Sequence, residues 1–315
     1  MKLALSDEYE PYLHAIVAES IPSFFSSLEE AQVHLDGLES AVFDLFYELD
    51  RCYGRPQVDL TWDTSVMSRE ELFCLSSATS RFLPSELHPE LTERMEVAKS
   101  ELAAWCRALA MLAYRSENAA SRLMLKIKYL DLWIEACRWK DETEVMGDRF
   151  DKEYEHLLEL SEQYVGLHLD IDVQAGATET TRPGFCVGTA LVGNLAGIAW
   201  YCRNPRIRRR CITLIRKINL RGVADSEYLA AVSEKVMELE EARGRLASGK
   251  GPDDELVSSD IPEEARMIED DMCPHQGREE FWKADEGRIV YVTSAGRAGS
   301  QLCLHQAIFA VHRKP

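Results

Sequence analysis

The chain has 315 residues, with 54 Asp and Glu against 36 Lys and Arg and a formal net charge of −18. That balance excludes a chain built to bind nucleic acid directly, because such binding draws its affinity from Lys and Arg displacing counterions from phosphates. A content of 46% hydrophobic and 29% charged residues excludes a disordered chain, and 17 glycines and 11 prolines leave room for long helices, so the fold class expected is all-α.

Residues 1–22 read as a lead-in segment. MKLALSDEYEPYLHA carries acids where a signal peptide needs an apolar run, so secretion is not expected. A helix then opens at FFSSLEEAQ, where Ser26 with Glu29, or Ser27 with Glu30, has capping-box spacing. Its apolar face is Ala31, Leu35, Leu38, Val42, Leu45 and Leu49. Residues 51–67 form a connection, and a second capping box at Ser68 to Glu71 starts a helix that reaches about Phe82, before Pro84 and Pro89. A run from Glu90 to Tyr114 carries Leu91, Met95, Ala98, Leu102, Trp105, Leu109 and Leu112 at helical spacing. The next run repeats Leu123, Ile127, Leu130, Ile134 and Cys137, and the short link between the two predicts an antiparallel helical hairpin. DETEVMGDRFDKEYEHLLEL predicts another helix, capped by Asp141 or Thr143 and acidic outside, and residues 174–182 a polar loop.

The chain is organised around Pro183 to Glu241. It opens with twenty uncharged residues, PGFCVGTALVGNLAGIAWYC, passes into the basic RNPRIRRRCITLIRKINLRG, and closes with DSEYLAAVSEKVMELEE. Three consecutive helices are expected. In the middle one Asn204 caps, Pro205 takes the first helical position, and Ile207, Cys211, Leu214, Ile215 and Ile218 make one face. In the third, Asp225 or Ser226 caps, and Leu229, Val232, Val236 and Leu239 form the stripe. The uncharged segment, with Gly193 and Gly197 at GxxxG spacing and an Arg-rich flank, has the outline of a membrane span. Its glycines, Pro183, Thr189 and Asn194 on so short a length favour a helix buried within the protein, and no membrane association is expected. Beyond it, ASGKGPDDELVSSD reads as a mobile loop, and GRIVYVTSAGRAGSQLCLHQAIFAVHR as a β-hairpin with Gly296 and Gly299 between two strands.

Chemistry-bearing patterns are sparse. The arginines from Arg203 to Arg221 read either as a nucleic-acid patch or localisation signal, or as a face that pairs with acidic helices of the same chain; the acid excess favours the second. Cys273 with His275 and Cys303 with His305 form two Cys-x-His pairs that would have to converge tetrahedrally to hold zinc, against a plainer reading as a buried thiol and a surface histidine. The nine cysteines contain no CxxC and suit reduced thiols of an intracellular protein. There is no G-x-S-x-G, no HExxH and no Walker lysine, and the paired acids and aromatics read as helix starts and core. No cofactor, no metal and no catalytic residue is expected.

The segment from CRNPRIRRR to MELEE, with the later DIPEEARM, resembles the C-terminal part of the regulatory region of fungal binuclear zinc-cluster transcription regulators. The residues that carry the likeness are Cys202, Arg203, Pro205, Arg208, Arg209, Asp225, Ser226, Glu240, Glu241, Ile261, Pro262, Glu263 and Arg266. The likeness extends from about Ile21 to Arg288; Ala224 stands where the family usually has an aromatic, and the six closely spaced cysteines of a DNA-reading zinc cluster are not in this sequence. The resemblance implies an effector or dimerisation module in a nuclear setting, working through protein partners or a small-molecule effector, with a homodimer allowed for. An enzyme or small-molecule binder on the same scaffold is the alternative, marked by a deep aromatic pocket holding polar or titratable side chains. The full expectation is an antiparallel helical bundle or array with a small C-terminal hairpin: lead-in 1–22, helical regulatory domain 23–243, mobile acidic loop region 244–287, hairpin 288–315.

Overall fold

The computed structural model describes residues 21–53, 89–113, 118–139, 143–174, 188–220, 225–274, 286–294 and 302–311. Among them are seven α-helices, three short 3-10 turns and one small antiparallel sheet, so the chain is all-α with a minor β element near its C-terminus. The predicted helix at 68–82, the loop at 174–182 beyond Gln174, which ends a helix, Ala224 and nearly all of the lead-in lie outside the described residues. The expected helical domain 23–243 is divided: contacts group residues 1–52 and 85–139 into one unit and 53–84 and 140–315 into another.

The first unit holds α1 (Leu28–Tyr53), α2 (Pro89–Met111) and α3 (Ala119–Arg138). Of the two capping boxes the sequence offers, the Ser27–Glu30 one forms in part, with the carboxylate reaching one residue further back than the cap. Ser27 Oγ accepts the Glu30 N–H at 3.1 Å, while the Glu30 carboxylate reaches back to the Ser26 N–H at 2.7 Å and hydroxyl at 2.6 Å. Ala31, Leu35, Leu38, Val42 and Leu45 are buried, and they meet Leu91, Met95, Ala98, Leu102, Trp105 and Leu109 of α2 in one core. Trp105 is wholly buried, donates its indole N–H to the Ala31 carbonyl at 2.8 Å, and lies 5.4 Å from Tyr129, stacked. Arg122 caps the end of α2 by donating to the Leu109 and Leu112 carbonyls at 2.8 and 2.9 Å, which closes the predicted antiparallel hairpin.

Helix α3 departs from the expected stripe. Ile127, Leu130 and Ile134 are buried, but the face that enters the common core is Leu125, Leu132 and Ala136. The helix is apolar on two sides, and periodicity alone does not say which side meets a given partner. Asp131 lies on the same helix near Glu135 and, across on α1, Glu39; burial first, then those two acids, push its carboxyl up to about 7.

The second unit begins with a 3-10 turn, Glu144–Phe150, followed by α4 (Asp151–Gln174), α5 (Gly188–Tyr201), α6 (Pro205–Ile218) and α7 (Ser226–Ser248). Helix α5 buries Leu191, Val192, Leu195, Ala196, Ile198 and Ala199. A Cβ built on Gly193 or Gly197 would meet nothing within 4 Å, so the GxxxG spacing serves no close approach, and no helix among the described residues is long and apolar enough to cross a membrane. Asn204 caps α6, accepting the Arg206 and Ile207 N–H groups at 3.2 and 3.5 Å, with Pro205 at the first position. Asp225 caps α7 through the Tyr228 N–H at 2.8 Å, and Ser226 Oγ accepts the Leu220 N–H at 2.9 Å, fastening the end of the α6–α7 link.

The described residues 244–274 of the expected mobile loop region form the end of a helix, two 3-10 turns and a strand. Helix α7 runs through Ser248 to Gly249, whose φ of 70° ends it in the left-handed region. The chain after it is tied down: Arg245 donates to the Gly251 and Asp254 carbonyls at 2.6 and 2.7 Å, and Lys250 bonds Asp260 at 2.6 Å. Composition suggested mobility because Gly, Ser and Asp cannot build a core, but here they supply turns whose carbonyls basic side chains collect. Two further 3-10 turns, Ser258–Asp260 and Glu263–Ala265, lead back over α7 at Gly244, where a Cβ would come within 3.0 Å of the Asp260 carbonyl and the Ile261 side chain.

The expected hairpin is part of a larger sheet. β1 (Met267–Pro274), β2 (Glu286–Ser294) and β3 (Leu302–Ala310) pair antiparallel in that order, with an irregularity in β1 between Met267 and Glu269. Ile289, Tyr291, Phe309 and Val311 join Tyr228, Val232 and Val236 of α7 in a second core. The predicted stripe of α7 therefore packs on the sheet.

Candidate functional site

Ten of the thirteen residues that carry the family resemblance are buried in the second unit; the exceptions are Arg209, which is exposed, and Pro262 and Glu263, which are half-buried. Their centre is Glu240 on α7, which has no solvent exposure. Its carboxylate accepts Arg203 Nη2 at 3.0 Å, Arg208 Nη1 at 2.6 Å and the Met267 N–H at 2.7 Å. Burial alone would raise its pKa, but the two guanidinium charges outweigh that and hold it below the ordinary carboxylate range. Arg203 also donates to the Tyr201 and Met267 carbonyls at 2.9 and 3.0 Å and lies 3.2 Å from the Glu144 carboxylate, while Arg208 Nε donates to the Ala199 carbonyl at 2.7 Å. The end of α5, the start of α6, the middle of α7 and the first residue of β1 thus meet on one carboxylate.

Arg266 forms the second centre. Its Nη1 and Nη2 grip the Asp148 carboxylate at 2.6 and 2.7 Å, and it donates to the carbonyls of Glu144, Ser258 and Ile261 at 2.9, 3.0 and 2.7 Å. All five donors of the guanidinium are used. Next to it the Glu263 carboxylate accepts the Glu144 and Val145 N–H groups, each at 3.0 Å, capping the 3-10 turn. Ile261 is fully buried beneath this segment. Cys202 donates weakly to Asp151 at 3.6 Å, and Asp151 also accepts from Asn204 at 3.3 Å and Ser258 at 3.0 Å.

The basic face of α6 is spent on the chain itself. Arg206 lies 2.7 Å from Glu155, Arg209 2.5 Å from Glu241, Arg210 2.8 Å from Glu162, and Arg216 2.6 Å from Glu234. Of the two readings of that segment, the geometry realises the one in which arginines answer the acids of α4 and α7.

The partners Glu144, Asp148, Asp151 and Ser258 were not singled out from the sequence. Glu144 and Asp148 lie four apart in the 3-10 turn, and among 54 acids such a pair does not stand out.

Chemically the network is a clamp. Arg203, Arg208 and Arg266 face Glu144, Glu240 and Asp148, so charge balances locally. Burial pushes the Cys202 and Cys211 thiols above their ordinary values, which keeps them protonated and unreactive. The zinc alternative meets a geometric obstacle. Cys273 pairs with Arg288 and Cys303 with Thr293, five residues apart along β2, which is about 16 Å. The alternation of β2 also sends those two positions to opposite faces. His275 lies outside the described residues, His305 bonds Thr293 at 3.0 Å, and no group of three or more ligand-type side chains occurs among the described residues. No family model, no curated protein and no solved structure matches this chain.

Proposed function

We propose that the chain is a regulatory module akin to the effector or dimerisation region of fungal zinc-cluster transcription regulators, acting through protein partners or a small-molecule effector in a nuclear setting. One observation carries the reading. The residues of the resemblance, dispersed from Cys202 to Arg266, meet in space as mutual partners: Arg203 and Arg208 on Glu240, Arg209 on Glu241, Glu263 and Arg266 on the same 3-10 turn. A set of residues that share partners is a signature of a fold, and a shared fold is what kinship to a regulatory region requires. The one thiol among them, Cys202, lies against Asp151 but is buried and held protonated, which favours the regulatory reading over the enzymatic one.

Two experiments test it. Fused to a heterologous DNA-binding domain in a fungal reporter strain, the chain should change transcription, and the E240A variant should abolish the change; a fusion indistinguishable from the DNA-binding domain alone sinks the reading. In mobility-shift assays at physiological salt the chain alone should give no specific complex, and a tight, sequence-specific band would overturn the assignment of partners.

A further inference from the structure

A second polar cluster lies where α7 meets the sheet. Arg243 Nη2 donates to the Tyr291 hydroxyl at 3.2 Å, with its Cζ 5.3 Å from the ring centroid. His305 stacks on Tyr291 at 5.0 Å, and its Nε2 is 3.0 Å from Thr293 Oγ1. Tyr291 and Thr293 are buried and form the floor; Arg243 and His305 are half-buried at the rim.

The cluster is rich in donors and carries a charge that no carboxylate among the described side chains answers. Arg206, Arg209, Arg210 and Arg216 each face a carboxylate, whereas Arg243 is bonded to a phenol. Its Nη1 is shielded from solvent and has no acceptor among the described residues. The Tyr291 oxygen already accepts from Arg243, so its own O–H remains to donate, and burial raises its pKa and keeps it protonated. Burial and the Arg243 charge lower the pKa of His305, so its ring is neutral at neutral pH. In the tautomer in which Thr293 donates to Nε2, the ring proton sits on Nδ1 as a further donor.

We propose that this seam binds a small oxyanion, a carboxylate or phosphate group, held by Arg243 with Tyr291 and His305 as additional donors. A planar guanidinium suits both groups, and an anion answers the charge as well as the donors, where water would answer the donors alone. The site asks nothing of the regulatory reading and stands or falls without it. Its rival within the chain is Asp270, the register partner of Tyr291 on β1.

The test is a titration of the full chain with inorganic phosphate and, separately, acetate, at ionic strength held constant with chloride, following the ring nitrogens of His305 by long-range proton–nitrogen NMR. Expected are a saturable response to at least one anion, a rise in the His305 pKa on binding, and affinity weakened by about tenfold or more in R243Q. R243K should lie between, and melting curves should show that the variants are folded. The proposal is overturned by no saturable response, by an equal response in R243Q and R243K, or by chloride alone reproducing the shift. A response that appears only in D270N also overturns it, since Asp270 would then be the group that Arg243 holds.

Discussion

The two units are both helical, yet they are held together by different physics. In the first, Leu35, Met95, Leu102 and Trp105 fill an apolar core, and ion pairs such as Lys128 with Asp36 stand at the surface. In the second, charges go inside: Arg203, Arg208 and Arg266 are almost wholly buried, as are Glu144 and Glu240, while Asp148 is half-buried. Apolar contacts are non-directional and tolerate local change, whereas a desolvated ion pair keeps its value only while both members are present. The contrast teaches that one chain of ordinary composition can carry a forgiving core and an exacting one.

The largest effect should come from breaking the exacting core. E240A leaves Arg203 and Arg208 buried without their counter-charge and should destabilise the second unit by about 3–5 kcal/mol. Hydrogen exchange in α5 to β1 reads this directly, and a loss under about 1 kcal/mol would show that the network is not what holds the unit. Replacing Arg203, Arg208, Glu240 and Glu144 together with apolar residues of similar size should cost less than E240A alone, which sharpens the distinction. In the first unit, L102A removes a fully buried side chain and should cost about 2–4 kcal/mol, read from exchange in α1 to α3.

The units should also answer pH in opposite directions. Glu240 is held below its ordinary 4.5, so its stabilisation is complete at neutral pH and is lost as pH falls from 4.5 through the lowered value. Asp131 is raised from 3.8 to about 7, so the folded first unit keeps a proton that the unfolded chain gives up, and its stability declines as pH rises across that window. D131N should therefore stabilise the first unit at pH 8 by about 1–2 kcal/mol, a figure reduced for the solvent that reaches this half-buried side chain, and change nothing below pH 3.5. Exchange rates measured across pH in both units would reveal the opposite slopes; parallel slopes would refute the comparison. The smallest effect is expected of R206A, which removes an exposed pair with Glu155 and should shift the denaturation midpoint by less than about 0.5 kcal/mol.

Much of this was legible in the sequence. The caps Ser27, Asn204 and Asp225 and the stripes of α1, α2, α6 and α7 are local signals, written within a few residues of where they act. The division of the chain into two units was not legible, since nothing in composition marks it. Nor was the third strand: MIEDDMCP is acidic and lacks strand alternation, and its pairing is supplied by β2 rather than by its own pattern. The network was half legible. Its arginines and Glu240 stood out through the resemblance, but Asp148 meets Arg266 across 118 residues, a distance at which one acid looks like any other.

Met267 is gripped by its backbone, its N–H by Glu240 and its carbonyl by Arg203. A grip on the main chain is indifferent to which side chain the residue bears but not to where along the chain it falls. Met267 should accordingly accept exchange for another apolar residue far more readily than the link before it accepts a single insertion or deletion, because one extra residue would offer the clamp its neighbour and shift the register of β1.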